Sequence, residues 1–214
     1  MKIPKIDQGI YSSLVFFLFL VFLGGCGATF QVAGDVAQGR QAMIKGDYQG
    51  ALGYFQNAAQ TDPTYIRGTE LREGVLSYLG RAQYLTGNFP QARQTLERSL
   101  SQHKTDNVAR LYLGLTLARQ DDRKRGLQQM EAGMKGIRDF LNYISSSFSS
   151  EFGQYWDPNQ NIRNAIAANL TMIARDNFDW PTVIANGESI AMNTEREPDL
   201  ALQRQEEQEN LMRR

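Results

Sequence analysis

Cys26 is the one cysteine among 214 residues and His103 the one histidine, so nucleophile, base and metal chemistry are confined to few positions. A lone thiol forms no intramolecular disulfide, and stability must come from packing. His103 has Ser99, Ser101 and Asp106 near it in sequence, the residue types of a nucleophile–base pair. All four fall in a predicted connection between helices, where an exposed loop histidine is expected instead. Metal centres draw on several His, Cys or clustered carboxylates, and Asp121-Asp122 alone is too little. No glycine loop suited to phosphate is present. The sequence therefore predicts no catalytic residue and no metal site, and the chain is not expected to be an enzyme. What remains is recognition chemistry. Arg40, Arg81 and Arg119 carry planar guanidinium groups, which grip carboxylates at two points in a way lysine cannot match.

The thiol of Cys26 has a telling context. Lys2 and Lys5 precede an unbroken apolar run from Leu14 to Leu23, and Gly24-Gly25 follow. A basic start, a short apolar core and small residues form the layout of a secretory signal. Ten apolar residues are too few to cross a bilayer core of ~30 Å. The stretch Leu23-Gly24-Gly25-Cys26 resembles a bacterial lipoprotein lipobox. That resemblance implies a signal peptide over residues 1–25, removed before an acylated Cys26, and a lipid-anchored tether over residues 26–31. The covalent lipid on Cys26 is the only cofactor expected, and it makes a membrane the first partner, held firmly once two or more acyl chains are present. Gly27 replaces the Asp that favours inner-membrane retention in enteric-type lipoproteins. It points to an outer-membrane lipoprotein facing the periplasm, with the inner membrane as the alternative.

Removing residues 1–25 takes Lys2, Lys5 and Asp7 and leaves 21 basic against 22 acidic residues. Near-neutrality argues against nucleic acid, which requires a basic stripe, so no nucleic-acid partner is expected. The remainder suits one domain with an appendage. It is rich in Gln, Ala, Arg and Leu and poor in β-branched runs, which predicts an all-α fold. Val32, where the helical pattern starts, lies six residues past Cys26. At ~3.5 Å per residue this tether spans about 20 Å.

The helices are periodic. Gly46-Asp47-Tyr48-Gln49-Gly50-Ala51 leads into Phe55 and Ala58, and Gly87-Asn88-Phe89-Pro90-Gln91-Ala92 leads into Leu96 and Ser99. Seven residues before each turn lies a glycine, Gly39 or Gly80, and Gly114 precedes Asp121 by the same seven. Gly80 to Gly114 is 34 residues, whereas Gly39 to Gly80 is 41, an insertion around Thr64–Leu71. These residues resemble the tetratricopeptide repeat, a 34-residue helix–turn–helix unit. The resemblance implies about three repeats over residues 32–146, stacked as a short solenoid. Gly39, Gly80 and Gly114 are expected at helix crossings against Ala51 and Ala92, with Phe55, Leu96 and Met130 filling the space between units. The first copy departs in carrying Asp35 and Gln38 where large apolar residues are usual. The third departs in Asp121-Asp122 at its turn and in Gly126 and Gly133.

Beyond the repeats, Ile137, Phe140, Leu141 and Ile144 extend the last repeat helix. Phe148, Phe152, Tyr155 and Trp156 form an aromatic cluster before Asp157-Pro158, and Ile162, Ile166, Leu170 and Ile173 give an amphipathic stripe. Trp180-Pro181 opens a shorter helix. Residues 147–197 are thus expected to be helices capping the open end of the stack. Phe152, Tyr155 and Trp156 have two readings: an aromatic pocket for a glycan or peptide anchor, or packing of the cap onto the third repeat. Residues 198–214 form a polar tail, helical or disordered, or a helix that binds a partner.

Repeat stacks of this family use a curved groove lined by first helices. Carried over by register, its lining would include Val36, Arg40, Met43 and Ile44, then Ser77, Arg81, Tyr84 and Leu85, then Leu111, Leu115, Ala118 and Arg119. Arg40, Arg81 and Arg119 would grip an acidic or C-terminal peptide, with Met43 and Tyr84 packing its apolar side chains; the alternative is that these are ordinary surface charges. The functional expectation is a protein–protein interaction scaffold of an envelope assembly, secretion or export machine. The alternative is an accessory lipoprotein of a transport system that binds a small molecule or glycan near Trp156.

Overall fold

The computed structural model describes residues 29–175 and 177–213; Cys26 and the apolar run before it lie outside the described residues. Helix α1 is described from residue 29 and ends at 44, and α2 spans Tyr48–Thr61. Between them Gly46 takes a φ of 83°, the left-handed conformation that ends a helix at little cost in glycine. Asp47 then caps α2, its side chain accepting from the Gly50 N–H at 2.9 Å. A left-handed glycine also separates α3 (Val75–Leu85) from α4 (Phe89–Gln102), Gly87 at φ 79°, but the Asn88 side chain makes no capping hydrogen bond. At the third turn, between α5 (Asn107–Arg119) and α6 (Arg123–Ser147), Asp121 takes φ 60° itself. Asp tolerates this region better than most residues, which is how the turn survives without a glycine.

The crossings are as close as the glycines suggested, but what meets them differs. A Cβ on Gly39 would fall 2.5 Å from the Phe55 ring, and one on Gly80 2.5 Å from Leu96 Cγ. Phe55, Leu96 and Met130 therefore seat directly on the glycines of their own repeats, rather than only filling the space between units. In the third repeat Gly133 brings α6 against α5 so tightly that a Cβ would sit 2.6 Å from the Leu111 backbone nitrogen. That explains why glycine stands there where alanine is usual. Helix α5 is the centre of the fold: from Val108 to Ala118 every residue but Arg110 is buried. A helix apolar all round is one enclosed on every side, here by α3, α4, α6 and the last helix.

The insertion between the first two repeats is a small hairpin. Strand β1 (Ile66–Arg67) pairs antiparallel with β2 (Glu73–Gly74), Ile66 opposite Gly74 and Arg67 opposite Glu73. Gly68, at φ 90°, turns the chain where a Cβ would meet the Leu71 carbonyl at 2.3 Å. The hairpin delivers Glu73 into the interior, 1% exposed.

After α6 comes a 3-10 turn over Phe152–Tyr155, then α7 (Asn161–Ile173) and α8 (Trp180–Met212). Helix α7 covers α6 as a cap should. Helix α8 corrects the expected layout: it is not short but 33 residues long, it runs through Pro198, and it makes residues 180–197 and the supposed tail one element. Asp179 caps its start, accepting from the Thr182 N–H at 2.9 Å. Val183, Ile184, Gly187, Ile190, Ala191 and Thr194 form its buried face, set against α5 and α7. Pro198 has no N–H to offer the Thr194 carbonyl. Past it only Ala201 is buried, whereas Leu202, Leu211 and Met212 are largely exposed.

Candidate functional site: the concave groove and its occupant

The first helices of the repeats, α1, α3 and α5, should line an open groove. In the structure α8 lies in it. Its Glu195 carboxylate, 2% exposed, joins two repeats: Oε1 accepts from Arg40 Nε and Oε2 from Arg81 Nη1 at 2.6 Å. Arg40 Nη2 also donates to the Glu195 backbone carbonyl at 3.0 Å and to Asp199 Oδ2 at 2.9 Å. Arg81, fully buried, reaches Glu73 Oε1 at 3.0 Å and lies 4.2 Å from the centre of the Tyr78 ring. Tyr78 in turn donates its hydroxyl hydrogen to Glu73 at 2.6 Å. Two turns before Glu195, Glu188 accepts from Tyr84 and from Arg119 Nη2, the latter at 3.0 Å. Seven residues on a helix advance about 10 Å on one face. The groove arginines thus read an acidic face of regular spacing, and that face belongs to the chain itself.

The electrostatics follow from the count of groups. Three buried carboxyl groups (Glu73, Glu195 and Asp106) surround two buried guanidinium groups, Arg40 and Arg81. Burial works to lower both arginines, but Glu73 and Glu195 around Arg81, and Glu195 with Asp199 around Arg40, outweigh it and raise both. Burial pushes the Glu73 carboxyl up to about 7 against the pull of Arg81. Asp106, which caps α5 by accepting from the Ala109 N–H at 2.8 Å, is also raised by burial. For both carboxyls desolvation is the largest influence, opposed by the charge of Arg81.

Of the residues expected to form the site, Arg40, Arg81, Tyr84 and Arg119 converge on α8, whereas Met43 is buried in the core of the first repeat. The expectation of an open groove is corrected. The physical reason is that α8 offers both an apolar face and matched carboxylates, so its burial leaves neither arginine unpaired. Arg119 is the exception in exposure, with 44% of its side chain still accessible.

The aromatic trio divides. Phe152 stacks on Phe148 with ring centres 4.7 Å apart, and Trp156, 5% exposed, meets Phe140 edge-on at 5.5 Å. Tyr155 contributes its backbone carbonyl to Arg204 at 2.6 Å. Phe152 and Trp156 also wall a cleft of about 440 Å³ between the hairpin and α8, with Arg67, Thr69, Glu70, Asp199 and Gln205 as its polar members. Glu197 of α8 accepts from the Asp157 N–H and from Arg204, fixing this segment in place. His103, at the end of α4, is half-buried, and a Cβ on Gly74 would lie 3.0 Å from its ring. Among the described residues, no group of three His, Cys, Asp or Glu could hold a metal ion, and no helix is long and apolar enough to cross a membrane.

Helix pairs joined by left-handed turns, with small residues at each crossing, now have a counterpart among known families. A family model described as Tetratricopeptide repeat matches residues 42–115, from the end of α1 into α5. Over these residues the chain is similar to a tetratricopeptide-repeat array. Such repeats generally mediate protein–protein interactions. The match ends within α5, and the α5–α6 pair continues the same helix–turn–helix geometry. Neither the curated proteins nor the solved structures compared with the chain gave a match.

Sequence reasoning missed Glu188, Glu195 and Asp199, the acidic half of the site. Their spacing of seven and then four residues was the available signal. Glu73 carried none, since its role depends on a hairpin too short to leave a periodic pattern.

Proposed function

We propose that the protein is a lipid-anchored interaction scaffold of the bacterial cell envelope, binding a protein partner of an assembly, secretion or export machine. The observation that carries this reading is the match between the repeat arginines and an acidic helical face. The stack is built to hold polypeptide, and with its own α8 in the groove it presents a fixed platform to another protein. The Leu23-Gly24-Gly25-Cys26 run supports acylation at Cys26, and a helix described from residue 29 keeps the platform close to the bilayer. An outer-membrane position facing the periplasm is the address this reading adopts.

The test is recovery of the tagged full-length protein from gently solubilised envelopes, beside Cys26→Ser and Arg119→Glu variants. Cys26→Ser is expected to leave the membrane fraction. Arg119→Glu, at the most exposed groove arginine, reports whether the α5 end of the platform meets the partner. A protein that stays soluble with Cys26 intact, or that brings down no specific envelope protein, overturns the proposal. One observation favours a second reading, a ligand-binding accessory lipoprotein: the cleft walled by Phe152 and Trp156. A saturable change in tryptophan fluorescence on adding a glycan or small solute would support it.

A further inference from the structure

Helix α8 has a second polar stripe on the side opposite Glu195. Asn193, Glu197, Leu200 and Arg204 follow at steps of four, three and four residues, which aligns them along one face. The chain from Asp157 to Asn161, which leads into α7, runs beside this stripe, and a cleft of about 180 Å³ lies between the two. Its polar members are Asp157, Asn159, Asn161, Asn193, Glu197 and Arg204, and its apolar ones are Pro158, Ile162 and Leu200. Glu197 is 4% exposed, yet one of its oxygens is free. Oε1 accepts from the Asp157 N–H at 2.5 Å and from Arg204 Nη1 at 2.6 Å. Oε2 accepts no hydrogen bond among the described residues, and it is not closed off from solvent. A carboxylate oxygen on so buried a side chain calls for a donor, and the cleft is where one can arrive. Asn159, Asn161 and Asn193 stand exposed around it.

We infer that this cleft binds one uncharged sugar ring through its hydroxyl groups. The charges of the site cancel in pairs, Asp157 with Arg163 at 3.0 Å and Glu197 with Arg204, so no net charge is left for a ligand to answer. Asp157 is already engaged through both oxygens: Oδ1 accepts from the Ile162 N–H and Oδ2 from Arg163 Nε, each at 3.0 Å. A cation would meet a guanidinium group beside each carboxylate. What the site does offer is acceptors and donors side by side. Glu197 only accepts, Arg204 only donates, and each asparagine amide does both. A hydroxyl also does both, and a ring carries several of them at neighbouring positions. Pro158, Ile162 and Leu200 supply an apolar wall for the C–H face of the ring. Sites for drug-sized ligands run about 300–1,000 Å³, so a smaller one admits a single ring rather than a chain of them. The cleft shares no residue with the one at Trp156, and it stands whether or not the scaffold reading holds.

The experiment titrates the full mature chain with glucose, galactose, mannose and N-acetylglucosamine in turn, following backbone and asparagine side-chain amide shifts. Lysine, glutamate and calcium chloride are titrated as contrasts. At least one sugar should give saturable shifts centred on residues 157–162 and 193–204. Asn159→Ala and Asn193→Ala alter exposed side chains and should keep the melting temperature within about 2 °C of the parent. Each should weaken the sugar by about fivefold or more. Glu197→Gln, which puts an amide in place of the carboxylate, should weaken it by about tenfold or more; the asparagine variants decide the matter if this one loses stability. Asparagines with a purely structural role would behave in the opposite way, lowering the melting temperature and keeping the sugar. Unchanged affinity in both asparagine variants, or shifts mapping to the cleft at Trp156, would overturn the inference. So would no saturable shift with any of the four sugars, or tighter binding of lysine, glutamate or calcium at these residues.

Discussion

Replacing Glu195 with glutamine removes the charge that ties α8 to two repeats at once. The carboxylate serves Arg40 and Arg81, all three nearly or wholly buried. Without it Arg81 keeps Glu73 alone, and Arg40 keeps half-exposed Asp199 and the Glu195 backbone carbonyl. One glutamine oxygen can still accept from one guanidinium group, but its amide nitrogen then faces the other. Removing one partner of a buried pair costs about 3–5 kcal/mol. For a domain of this size each kcal/mol moves the melting temperature by roughly 2–4 °C, so a fall of about 10 °C is expected. Thermal melts and urea titrations of the mature chain measure it. Exchanging Glu195, Arg40, Arg81 and Glu73 together for Leu, Met, Met and Gln should recover much of the loss, because apolar packing replaces a costly buried network and Glu73 is not left as a buried charge without a partner. A Glu195→Gln protein melting within about 2 °C of the parent would refute the claim that this cluster holds α8 in the groove.

Four other outcomes follow from the geometry. Folding raises the Glu73 carboxyl from its ordinary 4.5 to about 7, so the native state binds that proton more tightly than the unfolded chain. The stability contributed is full below about pH 4.5 and is lost as pH rises through 7, on the order of 3 kcal/mol. Melting temperatures measured from pH 5 to pH 8 should therefore decline, and Glu73→Gln should flatten the decline. Gly114→Ala would set a Cβ 2.4 Å from the Met130 nitrogen and should cost about 1–3 kcal/mol in urea titrations; Gly34→Ala, with nothing within 4 Å, should add up to about 1 kcal/mol. Pro198→Ala restores an N–H to the Thr194 carbonyl, and slower amide exchange across residues 194–202 should report it.

Much of this fold was legible because it is local. Gly46 and Gly87 mark turns, Ile162 to Ile173 mark a stripe, and each signal lies within one or two turns of what it determines. The start of helix α8 at Trp180 was legible but its length was not, since part of its buried face is Glu195 and Glu197. Hydrophobic periodicity cannot register a carboxylate that is buried because an arginine 155 residues away pairs with it. Pro198 added a false stop, for a proline inside a helix held on one side by tertiary contacts need not end it. The arginines of the site were identifiable by repeat register, but their partners were not. The aromatic segment was ambiguous for a related reason: Trp156 packs on Phe140 and also walls a cleft, and composition does not distinguish the two.

The pairing of Arg40 with Glu195 also sets an order of events. Repeat units close through near neighbours and can form one after another as the chain becomes available. The groove cannot close until residue 195 has been made, so Arg40 and Arg81 wait hydrated while the stack assembles around α3. Contacts of such long sequence separation are the slow ones. A synthesis arrested before α8 therefore yields repeats in which Arg40 lacks Glu195 and Asp199, Arg81 keeps Glu73 alone, and the apolar flank along α5 is open. That intermediate is the species most exposed to proteases and to mispairing. Helix α8 thus closes the stack late, and the charges of Arg40 and Arg81 are fully matched only once residue 195 has been made.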